Sequence, residues 1–290
     1  MSDAASKVSF LSKNATECPV CGFSVYREEL FTGRGRLIAG DLTEDLRRIY
    51  EPSKKYGEVH PLIYSIMVCP QCYYSSFVND FEGIKDSMKG KLKKESDRRI
   101  EEISLILPDL DFSQPRRIQE GIASYFFALM CYDHFSKEYS PTIKQGIAAL
   151  RSAWLFHDLH AKFPRDNYDY LAKLFYRKAA FFYSLAVEYE GSGKEPITNA
   201  GHLGPDLDKN YGYDGVLYLA AYLEYKYGVT EDEERRIESL KTAKTTVARI
   251  FGMGKASKDK PTALLDKSKE LYARINELLK SGELDENPEN

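Results

Sequence analysis

No stretch of this chain is apolar for long enough to cross a bilayer; the best runs, such as Ala179 to Val187, stop early or carry polar residues. Residues 1–16 are small and polar, without the apolar segment of a secretory signal and without a lipidation signature. They are expected to form a disordered tail, and the chain is expected to be cytoplasmic. A surplus of positive charge is missing too. The 41 Lys and Arg stand against 44 Asp and Glu, for a net charge of −3, so no global field exists to hold nucleic acid by its phosphates. Tryptophan is nearly absent, with 1 residue against 21 Tyr and 15 Phe, an aromatic balance that suits helix-on-helix packing with large contacts. The chain also lacks HExxH, G-x-S-x-G, a Rossmann glycine fingerprint and any recognisable pair of carboxylates. No reaction can be named from its motifs.

Cysteine is scarce as well, but four of the 5 residues are arranged. They form two matched turns, Cys18-Pro19-Val20-Cys21 and Cys69-Pro70-Gln71-Cys72. Each x2 spacing brings two sulfurs to one side of a tight turn, and two such turns complete a tetrahedral S₄ shell. Without a secretory signal such thiols bind metal and do not form disulfides. Zn²⁺ is the expected ion, with iron in a rubredoxin-like site as the alternative. A closed four-thiolate shell leaves no open position for substrate. The fifth cysteine, Cys131, precedes His134 by three residues, and His157 and His160 repeat that spacing. Hairpin geometry places the two pairs apart, so they are expected to be packing residues.

The fold expected is mainly α: a small N-terminal zinc-ribbon or rubredoxin-like β domain, then an α-helical tetratricopeptide-like solenoid or irregular helical bundle. Residues 17–78 form the zinc-ribbon-like domain with an inserted subdomain, 79–115 a helical linker, 116–280 the helical domain and 281–290 a disordered acidic tail. Within the insertion, Phe31 to Ile38 is expected to be a strand pair and Asp41 to Tyr50 one or two helical turns. Leu62 to Val68 reads as a strand delivering the second knuckle. Beyond Arg116 the apolar period is 3.6. Ala179, Tyr183 and Ala186 have the small–aromatic–small spacing of a tetratricopeptide helix, in which small residues admit a neighbouring helix and the ring fills the gap.

Phe251 to Ser257 brushes against a phosphate-binding loop but lacks its first glycine and its Ser or Thr, and it follows a helix. The basic residues around it, Arg249, Lys255, Lys258 and Lys260, offer a phosphate or partner contact, or are simply solvated.

The chain resembles a bacterial family known as domain of unknown function 2225. The matching pieces are CPVCGFSV at 18–25, Arg34 and Arg36 followed by Asp41, HPLIYSIMVCPQCYYSS at 60–76, the helical hairpins, and RIFGMGKASKDKP at 249–261. Where a glycine usually follows the second knuckle, this chain has Tyr73. The resemblance implies no activity. The function expected is therefore a non-catalytic, zinc-stabilised scaffold or adaptor that grips a protein or peptide partner in its helical groove. Arg151, Asn167, Arg177 and Asn210 are the candidate groove residues. The alternatives are an iron redox protein or metalloenzyme, and a nucleic-acid-associated zinc-ribbon protein using Arg34, Arg36 and the basic loop.

Overall fold

The computed structural model describes residues 7–228, 230–251 and 260–282. Its N-terminal part is made of four separate two-stranded antiparallel ladders. β1 (Ser9–Leu11) pairs with β4 (Glu28–Leu30), and β2 (Thr16–Glu17) pairs with β3 (Ser24–Val25). β5 (Ile38–Leu42) pairs with β6 (Arg48–Glu51), and β7 (Ile66–Val68) pairs with β8 (Ser75–Phe77).

Three sequence expectations are corrected by this arrangement. The tail does not run to residue 16, because Ser9–Leu11 is held in a ladder by Glu28–Leu30. Phe31 to Ile38 is not a strand pair. Gly33, Arg34 and Gly35 all have positive φ (73°, 55° and 71°), which makes this stretch a loop between β4 and β5. Asp41 to Tyr50 is not helical but the β5–β6 hairpin. The Thr43 hydroxyl accepts the Arg47 N–H at 2.9 Å, and Leu46 takes φ 64°, closing a tight turn ahead of the strand-favouring Ile49 and Tyr50. The expected strand at Leu62 to Val68 is half right. Pro61 starts a 3₁₀ turn over Pro61–Tyr64, and the strand follows it.

Helix accounts for 55% of the described residues. Among the described residues there are eight α-helices: α1 (Asp86–Lys94), α2 (Ser96–Ser104), α3 (Ile118–Tyr132), α4 (Pro141–Lys162), α5 (Tyr168–Gly191), α6 (Gly212–Tyr227), α7 (Glu233–Phe251) and α8 (Thr262–Ser281). From α3 to α8 each helix packs on the next, and α6 also touches α8. No helix among the described residues is long and apolar enough to cross a membrane. The small–aromatic logic holds at the α4–α5 seam. Tyr183 is buried between Ala179 and Ala186 and lies against Gly146, where an added Cβ would stand 3.0 Å from its ring.

The ribbon and the helices share one continuous core that runs from Cys18 to Ile275. Its tightest seam is Gly121 on α3, which lets the helix backbone approach the 3₁₀ turn. A Cβ there would stand 2.5 Å from the Ile63 side chain and 3.2 Å from its Cα. Gly121→Ala is therefore expected to destabilise the fold by about 1–3 kcal/mol through overpacking, read from urea unfolding. An unchanged midpoint would show that the 3₁₀ turn yields freely.

Candidate metal centre and the filled helical face

Each cysteine pair sits at the tip of a ladder, the first between β2 and β3 and the second between β7 and β8. The two turns are built alike. Gly22 N–H donates to Cys18 O at 2.8 Å and Tyr73 N–H to Cys69 O at 2.9 Å. Cys18 N–H donates to Phe23 O at 2.8 Å and Cys69 N–H to Tyr74 O at 2.9 Å. Gly22 has φ 78°, and Tyr73 takes the same left-handed conformation at φ 53°. Tyrosine there is strained by roughly 1–2 kcal/mol, and its ring offsets this by packing at 4.7 Å from Phe127 and 5.7 Å from Phe112. The departure from glycine leaves the turn intact.

The four sulfurs converge, all lying within 4.8 Å of one another. Cys18 and Cys72 are 3.7 Å apart and Cys21 and Cys69 3.5 Å, too far for disulfides and close to the ~3.8 Å edge of a tetrahedron with ~2.3 Å metal–sulfur bonds. The neighbouring sulfurs of Cys69 and Cys72 hold the Cys18 pKa far below the ordinary thiol range. Such a set of soft donors can hold a metal ion.

A second observation fits the same group. Arg99 on α2 is 0% exposed and forms no ion pair among the described residues. Its Nη2 donates to the carbonyls of Cys72 (3.0 Å) and Leu92 (2.8 Å), while Nε and Nη1 are buried without partners. A bare buried guanidinium is costly. A divalent metal in four thiolates would carry a net charge of −2, and Arg99 beside Cys72 would offset part of it. The apolar pattern gives no sign of this, because on α2 the charged Arg99 is inside while its apolar neighbour Ile100 is exposed.

Cys131 and the histidines are not part of this cluster. Cys131 accepts Ser75 N–H at 3.4 Å, and burial pushes its pKa up to about 11. His134 pairs with Glu95 at 2.8 Å, His160 lies 3.8 Å from Asp169, and His157 is exposed.

One face of the helical layer holds a segment of the same chain. The β5–β6 turn, Thr43 to Arg48, docks against α4, α5, α6 and α8. Asp45 accepts Trp154 Nε1–H at 2.5 Å and the Tyr176 hydroxyl at 3.2 Å. The Glu44 carbonyl accepts Tyr218 OH at 2.7 Å, and its carboxylate meets Arg274 at 2.8 Å. Arg47 forms a two-pronged ion pair with Asp158. Arg48 N–H donates to Asp206 at 2.8 Å. Burial raises the pKa of Asp158, but hydrogen bonds from His60 and Arg47 outweigh it and hold the carboxyl at about 2. Tyrosine hydroxyls and the lone indole clamp a tight turn here.

The four candidate groove residues do not come together. Arg151 is 3% exposed and tied to Pro205 O at 2.6 Å, so it cannot face a groove on the surface. Asn167 is exposed at the start of α5 with φ 42°. Asn210 accepts Gly212 N–H at 2.9 Å in the loop before α6. Arg177 is exposed on α5, 4.0 Å from Glu231. Of the basic loop, Lys255 and Lys258 lie outside the described residues. Arg249 sits over the Tyr213 ring at 5.9 Å, and Lys260 is tied to Asp214 at 3.0 Å. Arg36 stacks on Tyr56 at 4.6 Å and on Phe31 at 4.9 Å.

A family model described as "Uncharacterized protein conserved in bacteria (DUF2225)" matches residues 11–275. The chain belongs to this family. It is 46% identical over 276 residues to an uncharacterized protein of Borreliella burgdorferi, with 95% of this chain and 99% of that protein covered. No solved structure matches. The match reaches from the first ladder to the last helix, so the knuckles and the helical layer belong to one family unit.

Proposed function

We infer that this protein is a non-catalytic, zinc-stapled scaffold that binds a partner helix in the groove between α5, α6 and α7. The closed shell of four cysteines supports a structural role for the metal, since every donor position is taken by protein. With the inner helical face filled by the β5–β6 turn, binding moves to the outer groove, a cavity of about 840 Å³. The single observation that carries the reading is its floor of Ala180, Ala220, Ala221 and Ala243, with Phe181 standing 61% exposed at the edge. Small residues let a helix backbone approach closely, and an exposed aromatic anchors an apolar face. Around the rim, Glu188, Glu224, Glu231 and Glu238 outnumber Arg177 and Arg235. The complementary occupant is a basic amphipathic helix.

A photoreactive residue at position 181, used in cells of the source bacterium, tests this. The expected crosslink falls on a basic helical segment and disappears in Ala220→Trp, which fills the floor. Metal content and melting temperature should be those of the parent. Crosslinks confined to acidic or extended segments, or unaffected by Ala220→Trp, would refute the groove as the binding site.

A further inference from the structure

A second cavity, of about 450 Å³, lies between the ribbon and α4, bounded by Arg27 to Leu37, Tyr64 to Asp80, and the segment Ala200 to Leu207 that precedes α6. Its size suits a small metabolite. Leu30, Leu37, Val78 and Ile147 give it an apolar wall.

Its polar side is unbalanced. Arg151 and Lys144 on α4 are both buried at the cavity wall. Lys144 has its counter-ion, donating to Asp80 at 2.6 Å, and Asp80 also accepts the Tyr132 hydroxyl at 2.6 Å. Arg151 has none. Its donors go to the neutral oxygens of Pro205 (2.6 Å), Gly204 (3.3 Å) and Tyr125 (3.4 Å), and its plane lies 5.6 Å from the Phe77 ring. Arg236, equally buried at 3%, keeps Glu224 at 3.8 Å, whereas Arg99, the other buried arginine without an ion pair, lies beside the four cysteines. Arg27 also lines the cavity, and its buried Nε has no partner. Glu29 can balance only one of Arg27 and Arg151.

Two further groups face the same space without a full set of partners. The Ser65 hydroxyl oxygen is buried and unpaired. His202 accepts Gly204 N–H on Nδ1 at 3.2 Å, which assigns its ring proton to Nε2 and makes that nitrogen a donor. A buried guanidinium without an anion is costly, and a hydroxyl without a partner adds to the cost. An anion entering the cavity satisfies both together.

We propose that this cavity binds a small organic oxyanion, its carboxylate or phosphate held by Arg151, Arg27 and Ser65 and its apolar body against Leu30 and Ile147. The site is distinct from the outer helical groove and from the cysteine centre. Arg151 thus serves a ligand seated in the cavity beside α4, apart from the groove between α5, α6 and α7.

The test is thermal denaturation of the full, metal-loaded chain with hexanoate, benzoate and inorganic phosphate as separate probes. A ligand that binds only the folded state raises the melting temperature in a saturable way. At least one probe is expected to do so, and the carboxylate and phosphate arms tell which oxyanion the site prefers. Arg27→Gln should weaken that probe about tenfold, the loss of one charge-assisted hydrogen bond. Ala200→Phe, which narrows the cavity, should abolish the effect. Arg151→Gln is the less decisive variant, because Arg151 also ties down the loop at Gly204 and Pro205. If no probe shifts the melting curve, or if the shift is unchanged in both Arg27→Gln and Ala200→Phe, the proposal fails.

Discussion

Cys69→Ser should abolish stoichiometric metal binding and destabilise the protein more than any other single change predicted for it. Structural zinc sites of this donor type contribute on the order of 10 kcal/mol of apparent binding energy at neutral pH, and binding only the folded state converts this into stability. The loss should not stop at the ribbon. β8 is joined to α3 by Phe77 N–H, which donates to Tyr132 OH at 3.0 Å, and the 3₁₀ turn ahead of β7 is joined to it by Tyr125 OH, which donates to Leu62 O at 2.7 Å. Arg116, just before α3, donates to the carbonyls of Ile63 and Ile66 at 2.9 and 2.8 Å. The expected result is one zinc per chain in the parent, none in Cys69→Ser, and a lower unfolding midpoint for the helices as well. Unchanged metal content would overturn the S₄ centre. A reversible redox couple from bound iron would overturn zinc.

The knuckles and the helices were legible because their signals are local. A C-P-x-C turn is complete within four residues, and a 3.6 period repeats within two turns of helix. The pattern reads helices over Asp166 to Glu190 and Ala263 to Leu279, and the limits of α5 and α8 fall within two residues of these. The insertion between the knuckles was misread for the opposite reason. Asp41 to Tyr50 has a helix-like mixture of charge and apolar residues, and docking against α4, α5, α6 and α8 adds what the local pattern does not show. A clue lay in Thr43 and Asp45, a spacing that favours turns, and in the lone tryptophan facing them. Arg99 and Arg151 were hidden because a single sequence assigns arginine to the surface. Burial of a charge is a tertiary fact, visible only when the anion, whether a metal–thiolate centre or a ligand, is considered beside it.

Asp158→Asn should be the second most damaging change, because it strips the counter-ion from Arg47 where the β5–β6 turn enters the helical layer. Breaking one side of a buried pair typically costs about 3–5 kcal/mol, since the remaining charge is left desolvated. The pair is partly screened, its side chains being 14% and 17% exposed, so a loss of about 3 kcal/mol is expected. The same pair sets an acid limit. The Asp158 carboxyl has a pKa of about 2 when folded, below its unfolded value of ~3.9, so its contribution is present above pH ~4. It is lost as the pH falls from there through about 2, and Asp158→Asn should flatten the stability curve in that window. Trp154 supplies a direct reading of the docked state. The chain has 1 tryptophan, buried, with its indole N–H on Asp45. Undocking the turn should move its emission to the red and increase quenching by solutes at denaturant levels where the helices remain folded by circular dichroism. If Asp158→Asn unfolds outright, Asp45→Ala removes the indole's partner without stranding a charge and keeps the test open. Emission unchanged in both variants would mean that the helical face does not depend on the turn that fills it.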